Sequence, residues 1–215
     1  MTKSHAPSTK PVSRGQAGKF FDKLWHKLDA LGLKGQAWNQ AFEAHGDKII
    51  AECTAVVQKY VDMMSSIVVH WIDVDRTRPP TQVIAETGRR QYVDADVVAT
   101  MPRGTGDTAK LVFFKPAQSA YKNGLLMCAV LADEYKRRGL KPDAEALADY
   151  NKKNPEAADK EPNACQWVDA DGKYCHATFL RWFDVRRVHV RRRDGAWDGD
   201  RLFASVPDES SASAV

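Results

Sequence analysis

Between residues 49 and 74 the spacing of apolar residues changes period, and that change limits what the chain can fold into. Ile49, Ile50, Cys53, Val56, Val57, Tyr60, Val61 and Met64 recur at i, i+3, i+4, i+7, the spacing of a helix with one stripe turned toward a core. Ile67, Val68, Val69, His70, Trp71, Ile72, Asp73 and Val74 follow at once. They are mostly β-branched and aromatic without a helical period, which predicts a strand. Both periods in one stretch place the chain in the α+β class. The expected order is N-terminal helices, a mixed region and a C-terminal antiparallel β-meander.

The same reading, carried along the chain, gives boundaries. Residues 1–17 are rich in Ser, Thr, Pro, Lys and Gly and too poor in apolar side chains to offset ordering entropy, so they are expected as a disordered basic arm. Residues 18–207 form one α+β domain, with sub-lobes 18–138 and 139–207 as the alternative division. Residues 208–215 form a frayed Ser/Ala tail. Phe20, Phe21, Leu24, Leu28 and Leu31 predict a first helix closed by Gly32. Trp38, Ala41, Phe42 and His45 predict a short second helix ending at Gly46, with Asp47 capping the third.

Beyond the first strand, Pro79 and Pro80 read as its end and residues 82–86 as a further strand. In 91–101, Val93, Ala95, Val97, Ala99 and Met101 alternate with Tyr92, Asp94, Asp96 and Thr100, which predicts a strand paired in a hairpin with 111–114. Leu125, Cys128, Leu131 and Tyr135 give a helix ending near Gly139, and Pro142, Asp143 and Glu145 open the next, which closes at Lys152 and Lys153. From Cys165 onward, Asp171-Gly172, Asp194-Gly195 and Asp198-Gly199 punctuate four expected strands.

A content of 43% hydrophobic and 28% charged residues is that of a globular chain and excludes wholesale disorder. No apolar run approaches the roughly 18 to 20 residues that span a bilayer, and the first 19 residues lack the apolar centre of a signal peptide. The expected location is cytoplasmic. Cys53, Cys128, Cys165 and Cys175 form no C-x-x-C pair and are expected as reduced thiols. No disulfide, metal or cofactor is assigned.

Charge is polarised along the chain. Lys3, Lys10, Arg14 and Lys19 account for the whole formal +4, and residues 20–215 are neutral in sum. Within them, Arg181, Arg186, Arg187, Arg191, Arg192 and Arg193 face only Asp184, while residues 139–171 are acid-rich. If 187–193 is extended, Arg187, His189, Arg191 and Arg193 share one face and Val188 and Val190 the other. Such a row suits a phosphate backbone, with Tyr174, Phe179, Trp182 and Trp197 as stacking aromatics. Lys19, Lys23 and Lys27 stripe the first helix and extend the same reading, which makes DNA or RNA the expected partner. The competing readings are an acidic protein surface met during assembly, and arginines paired internally by the acidic stretch.

An enzymatic alternative rests on Asp73 and Asp75, with a third carboxylate from Asp94, Asp96 or Glu86 completing a magnesium site for phosphodiester hydrolysis. A zinc site from Cys165, Cys175 and His176 matches no structural spacing, and a two-residue turn at Asp171-Gly172 would put the two cysteines on different faces. Arg103-Gly104-Thr105-Gly106-Asp107 reads as a hairpin loop, since it lacks the Gly-Lys-Ser/Thr ending of a phosphate loop. No serine elbow, metalloprotease helix, kinase set or dinucleotide fingerprint occurs. The leading expectation is a nonenzymatic nucleic-acid-binding protein.

Overall fold

The computed structural model describes residues 14–32, 35–65, 67–199 and 201–209. The first of two compact units comprises, among these, residues 14–65, and the second residues 67–209. The division falls at Ser65, and position 138 lies inside the second unit. Of the expected N-terminal arm, residues 1–13 lie outside the described residues, as do residues 210–215 of the tail.

Two helices make the first unit, α1 (Arg14–Ala30) and α2 (Gln36–Ser65). Helix α1 begins four residues earlier than the expected boundary at Gly18, so residues 14–17 are helical. Gly32, at φ 70°, turns the chain out of α1 in a left-handed conformation that a side chain would resist. The two helices expected on either side of Gly46 are one. An added Cβ at Gly46 would lie 3.4 Å from the Phe42 ring, and a single helical glycine, costing about 1 kcal/mol, does not stop so long a helix.

The second unit is a mixed sheet of eight strands between two apolar layers. β1 (Val68–Asp73) is followed by α3 (Pro80–Ala85), β2 (Arg90–Val93), α4 (Ala95–Val98) and β3 (Thr108–Phe114). The strand expected at 82–86 is helical. Pro79 sits in an extended conformation at the cap and Pro80 occupies the first turn, so the prolines start a helix where they were expected to end a strand. The strand expected over 91–101 stops at Val93. Val97 and Val98, adjacent in sequence, are both buried, which a half-buried strand does not provide and a helical turn does.

The hairpin expected between 91–101 and 111–114 is absent, because β3 pairs antiparallel with β1 while β2 pairs parallel with β8. β4 (Leu125–Met127), α5 (Cys128–Arg137), β5 (Leu140–Lys141) and α6 (Ala144–Lys153) come next. Then follow β6 (Asn163–Val168), β7 (Tyr174–Trp182), β8 (Val185–Arg192), β9 (Ala196–Asp198) and β10 (Leu202–Pro207). The sheet order is β1-β3-β10-β6-β7-β8-β2, with β5 on the end of β10. Of the expected meander only β6, β7 and β8 are consecutive antiparallel neighbours. β9 leaves to pair with β4, and β10 inserts parallel to β6 and antiparallel to β3.

One face of the sheet is covered by α3, α4 and α6, around Ile72, Leu111, Phe113, Leu147, Phe179, Val188 and Val190. The other is covered in part by α5 and the β4–β9 ladder, around Phe114, Leu126, Leu131, Trp197 and Phe203. The loop after β1 is fastened to α6 by charge. Arg76 forks onto Asp143 through both terminal nitrogens at 2.6 and 2.9 Å, the bidentate geometry that favours arginine, and Arg78 Nη2 alone donates to both carboxylate oxygens of Asp149 at 2.7 Å. Arg103 closes the network on Glu145 at 2.9 Å. A Cβ on Gly104 would overlap the Asp143 carboxylate and press on Arg76 at 2.8 Å, so this glycine serves close approach in the fastening and not a two-residue turn.

Candidate functional site

Strand β8 alternates as its sequence implies. Val188 and Val190 are fully buried on the helix-covered face, and Arg187, His189 and Arg191 stand on the other. Register supplies their neighbours. Leu180, Thr178 and His176 of β7 lie opposite Arg187, His189 and Arg191, and Arg90 and Tyr92 of β2 lie opposite Arg187 and His189. Directly opposed residues share a face, so three strands present one surface.

The arginines divide into two sets. Arg186 and Arg181 both bind Asp159, the former through bonds of 2.9 and 2.6 Å, and Arg192 binds Asp169 at 3.2 Å and Asp96. Carboxylates from the acid-rich stretch therefore hold three of the six expected arginines, and the bond to Arg186 lowers the pKa of Asp159. Arg187 has no ion pair among the described residues. Its guanidinium lies 5.3 Å from the Tyr92 ring centroid, with Arg90 at 5.6 Å from the same ring. Arg191 is half exposed, 3.8 Å from Asp94. Arg193 bonds the carbonyl of Ala196 at 3.0 Å and stacks on Trp197 at 4.3 Å, so it braces the β8–β9 turn.

Buried polar atoms on this surface stand without partners. Thr178 Oγ1, His176 Nδ1, His189 Nε2, Arg187 Nε and Arg201 Nε are buried and make no hydrogen bond among the described residues, an arrangement that is costly unless something satisfies it. His176 and Thr178 are 6% and 3% exposed. Burial, then the charges of Arg193, His189 and Arg201, push the His176 imidazole down to about 3. Burial, then Arg191, Arg187 and Arg201, also lowers that of His189. Gln166, by contrast, is satisfied on both sides, accepting from Trp197 Nε1 at 2.6 Å and donating to the Cys128 carbonyl at 2.8 Å.

The expected aromatics fare differently. Phe179 and Trp197 are fully buried and present no ring face to a base, and Tyr174 is half-buried. Trp182 shares the face of Thr178 and is 54% exposed beside Phe183, at the turn from β7 to β8. Sequence reasoning missed Arg90, Tyr92, Thr178 and Arg201. The first three come from strands whose register no local pattern reveals, and Arg201 precedes β10. Lys19, Lys23 and Lys27 are exposed along α1 in the other unit.

The carboxylates of the enzymatic alternative are spent on cations. Asp73 binds Lys153 at 3.1 Å, Asp75 lies 3.4 Å from Arg78 and accepts from Thr77 at 2.6 Å, and Glu86 holds Lys152 at 2.6 Å and Arg78 at 2.5 Å; hydrogen bonds from Lys152, Gln82 and Arg78 lower the Glu86 pKa to about 2. Strand β1 ends at Asp73, so the alternation assumed to pair it with Asp75 does not extend that far, and Asp94 and Asp96 face Arg191 and Arg192. Asp73, Asp75 and Glu86, but neither Asp94 nor Asp96, line a cleft of about 980 Å³ with Arg78, Lys152 and Lys153. Among the described residues no three His, Cys, Asp or Glu side chains are placed to hold a metal ion. Cys165 and Cys175 lie on one face, because the β6–β7 loop puts Cys175 opposite Trp167, and His176 points to the other face. The four thiols are free, with Cys53 exposed, and burial raises Cys175 to about 11. No described helix is long and apolar enough to cross a membrane. No protein-family model, curated protein or solved structure matches the chain.

Proposed function

We propose that the sheet unit is a nonenzymatic binding module that contacts nucleic acid through the open face of β7, β8 and β2. The observation that carries this reading is the set of arginines on that face. Arg90 and Arg187 have no ion pair among the described residues, Arg191 has the Asp94 carboxylate at 3.8 Å, and Thr178, His189 and Arg187 beside them keep polar atoms without a hydrogen-bond partner. A phosphate oxygen accepts from a guanidinium and carries the counter-charge that Arg90 and Arg187 lack. Trp182 offers an exposed ring for an unstacked base, which favours single strands over duplex.

Fluorescence anisotropy with labelled single- and double-stranded DNA and RNA tests it. Binding that falls steeply with salt is expected, and Arg187→Ala and Arg191→Ala should each lower the salt slope by about one. Absence of binding at low salt, or affinity indifferent to both substitutions, overturns the reading. Because a bound anion favours protonated His189, whose pKa burial and the neighbouring arginines hold below the ordinary imidazole value, affinity should rise as pH falls below 6.5.

A further inference from the structure

We infer that the α1–α2 hairpin is a self-association element, which completes its apolar core by pairing with a second copy of the chain. No described side chain between residues 14 and 65 is buried. The stripe that sequence assigns to a core instead stands open, with Ile50 at 53%, Val56 at 55%, Val57 at 44% and Tyr60 at 57% exposure. Helix α1 adds Phe20, Phe21 and Trp25 at 48%, 63% and 61%. These residues line two grooves, of about 710 and 800 Å³, that share Phe20, Leu24, Cys53 and Val57. Two helices lying side by side have no second layer to bury such a stripe against, and isolated helices owe most of their stability to that burial.

The area matches what a dimer needs. Phe20, Phe21, Trp25, Phe42 and Tyr60 are 41–63% exposed, and at roughly 200 Å² per aromatic side chain they alone leave on the order of 500 Å² in water. Ile50, Val56 and Val57 bring the total close to the ~800 Å² that each side of a standard interface buries. A patch of this size is far above what scattered surface residues explain.

Charge selects a second copy over other occupants. Helix α1 carries Arg14, Lys19, Lys23 and Lys27 against Asp22 and Asp29, a balance of +2. Helix α2 carries Lys48 and Lys59 against Glu43, Asp47, Glu52 and Asp62, a balance of −2. In a two-fold pairing the same patch meets itself, and of the arrangements that symmetry allows, opposite charge favours the one that sets α1 of each copy against α2 of the other. The product is a four-helix bundle with Phe20, Trp25, Phe42 and Val57 between its layers. An anionic membrane would draw on α1 alone and repel α2.

Sedimentation velocity of the full chain across a hundredfold concentration range reads the outcome. The expected result is a reversible species of twice the 24.0 kDa chain mass, with Val57→Asp raising the dissociation constant at least tenfold and Val57→Leu leaving it within threefold. The near-ultraviolet circular dichroism of the sheet unit should be the same in all three proteins, which separates lost pairing from general misfolding. A monomer at every concentration overturns the inference. So does a monomer that co-sediments with vesicles of phosphatidylcholine and phosphatidylserine, and so does a dimer that Val57→Asp leaves intact.

Discussion

His176 shows how one side chain can carry a pH dependence for the whole sheet. Its imidazole titrates near 3 in the fold and at 6.5 in a solvated chain, so the unfolded state binds the extra proton between those values. The associated stability is full above pH 6.5 and is lost as pH falls toward 3, with a slope of at most ~1.4 kcal/mol per pH unit from this group. Urea unfolding of the parent and of His176→Gln between pH 4 and 7 measures it, and the variant should show the shallower dependence. An unchanged slope would place the proton elsewhere. The histidine itself was legible only as a rejected zinc ligand. Its sheet face follows from the length of the β6–β7 loop, in which the amide of Gly172 bonds the Asp169 carbonyl and the amide of Asp169 bonds the carbonyl of Lys173. A loop one residue shorter or longer reverses the parity of the whole strand.

At the scale of elements, the loop after β1 depends on Arg78. Its guanidinium is 9% exposed and meets Asp149 at 5% exposure, a charge pair that costs little while intact and much when halved. Asp149→Ala is expected to reduce unfolding free energy by about 3 kcal/mol, the lower end for a broken buried pair because Glu86 still reaches Arg78. Chemical denaturation checks this, and a loss under about 1 kcal/mol would show that the loop relaxes and rehydrates the arginine. Strands and helices with a clear period were legible: β1, β3 and β8 among the strands, and α1, α5 and α6 among the helices. The failures share a cause. At Pro79-Pro80 and at Asp94 a short helix begins within a segment that also reads as strand, and α3 and α4 span only six and four residues, too few for a period to declare itself. The arginine face was legible from β8 alone, but the residues that complete it lie on β7 and β2 and arrive through pairing.

The whole molecule combines two units with opposite deficits. The sheet unit has two buried layers and a polar face with unpartnered atoms, while the helical unit has apolar surface and no buried side chain among those described. Their stabilities should therefore respond to different variables. Thermal unfolding followed by far-ultraviolet circular dichroism is expected to show a helical transition whose midpoint rises with protein concentration and a sheet transition that does not. A single transition independent of concentration would mean that the hairpin draws its stability from within one chain. Sequence showed the apolar stripe of α2 plainly, and it could not show that the stripe has no layer to meet, since that depends on which elements share a unit.

The place of β10 governs the order in which the sheet unit can be built. Leu202–Pro207 lies between β3 and β6, and its Phe203, Ala204, Ser205 and Val206 are all buried. Everything from β1 to β9 leaves the ribosome before the strand that joins the two halves of the sheet. During that interval β3 and β6 each expose an unpaired edge of hydrophobic backbone, the geometry that invites pairing with another nascent chain. Synthesis of this protein thus has a vulnerable window, and it closes only when the segment following Arg201 has cleared the exit tunnel.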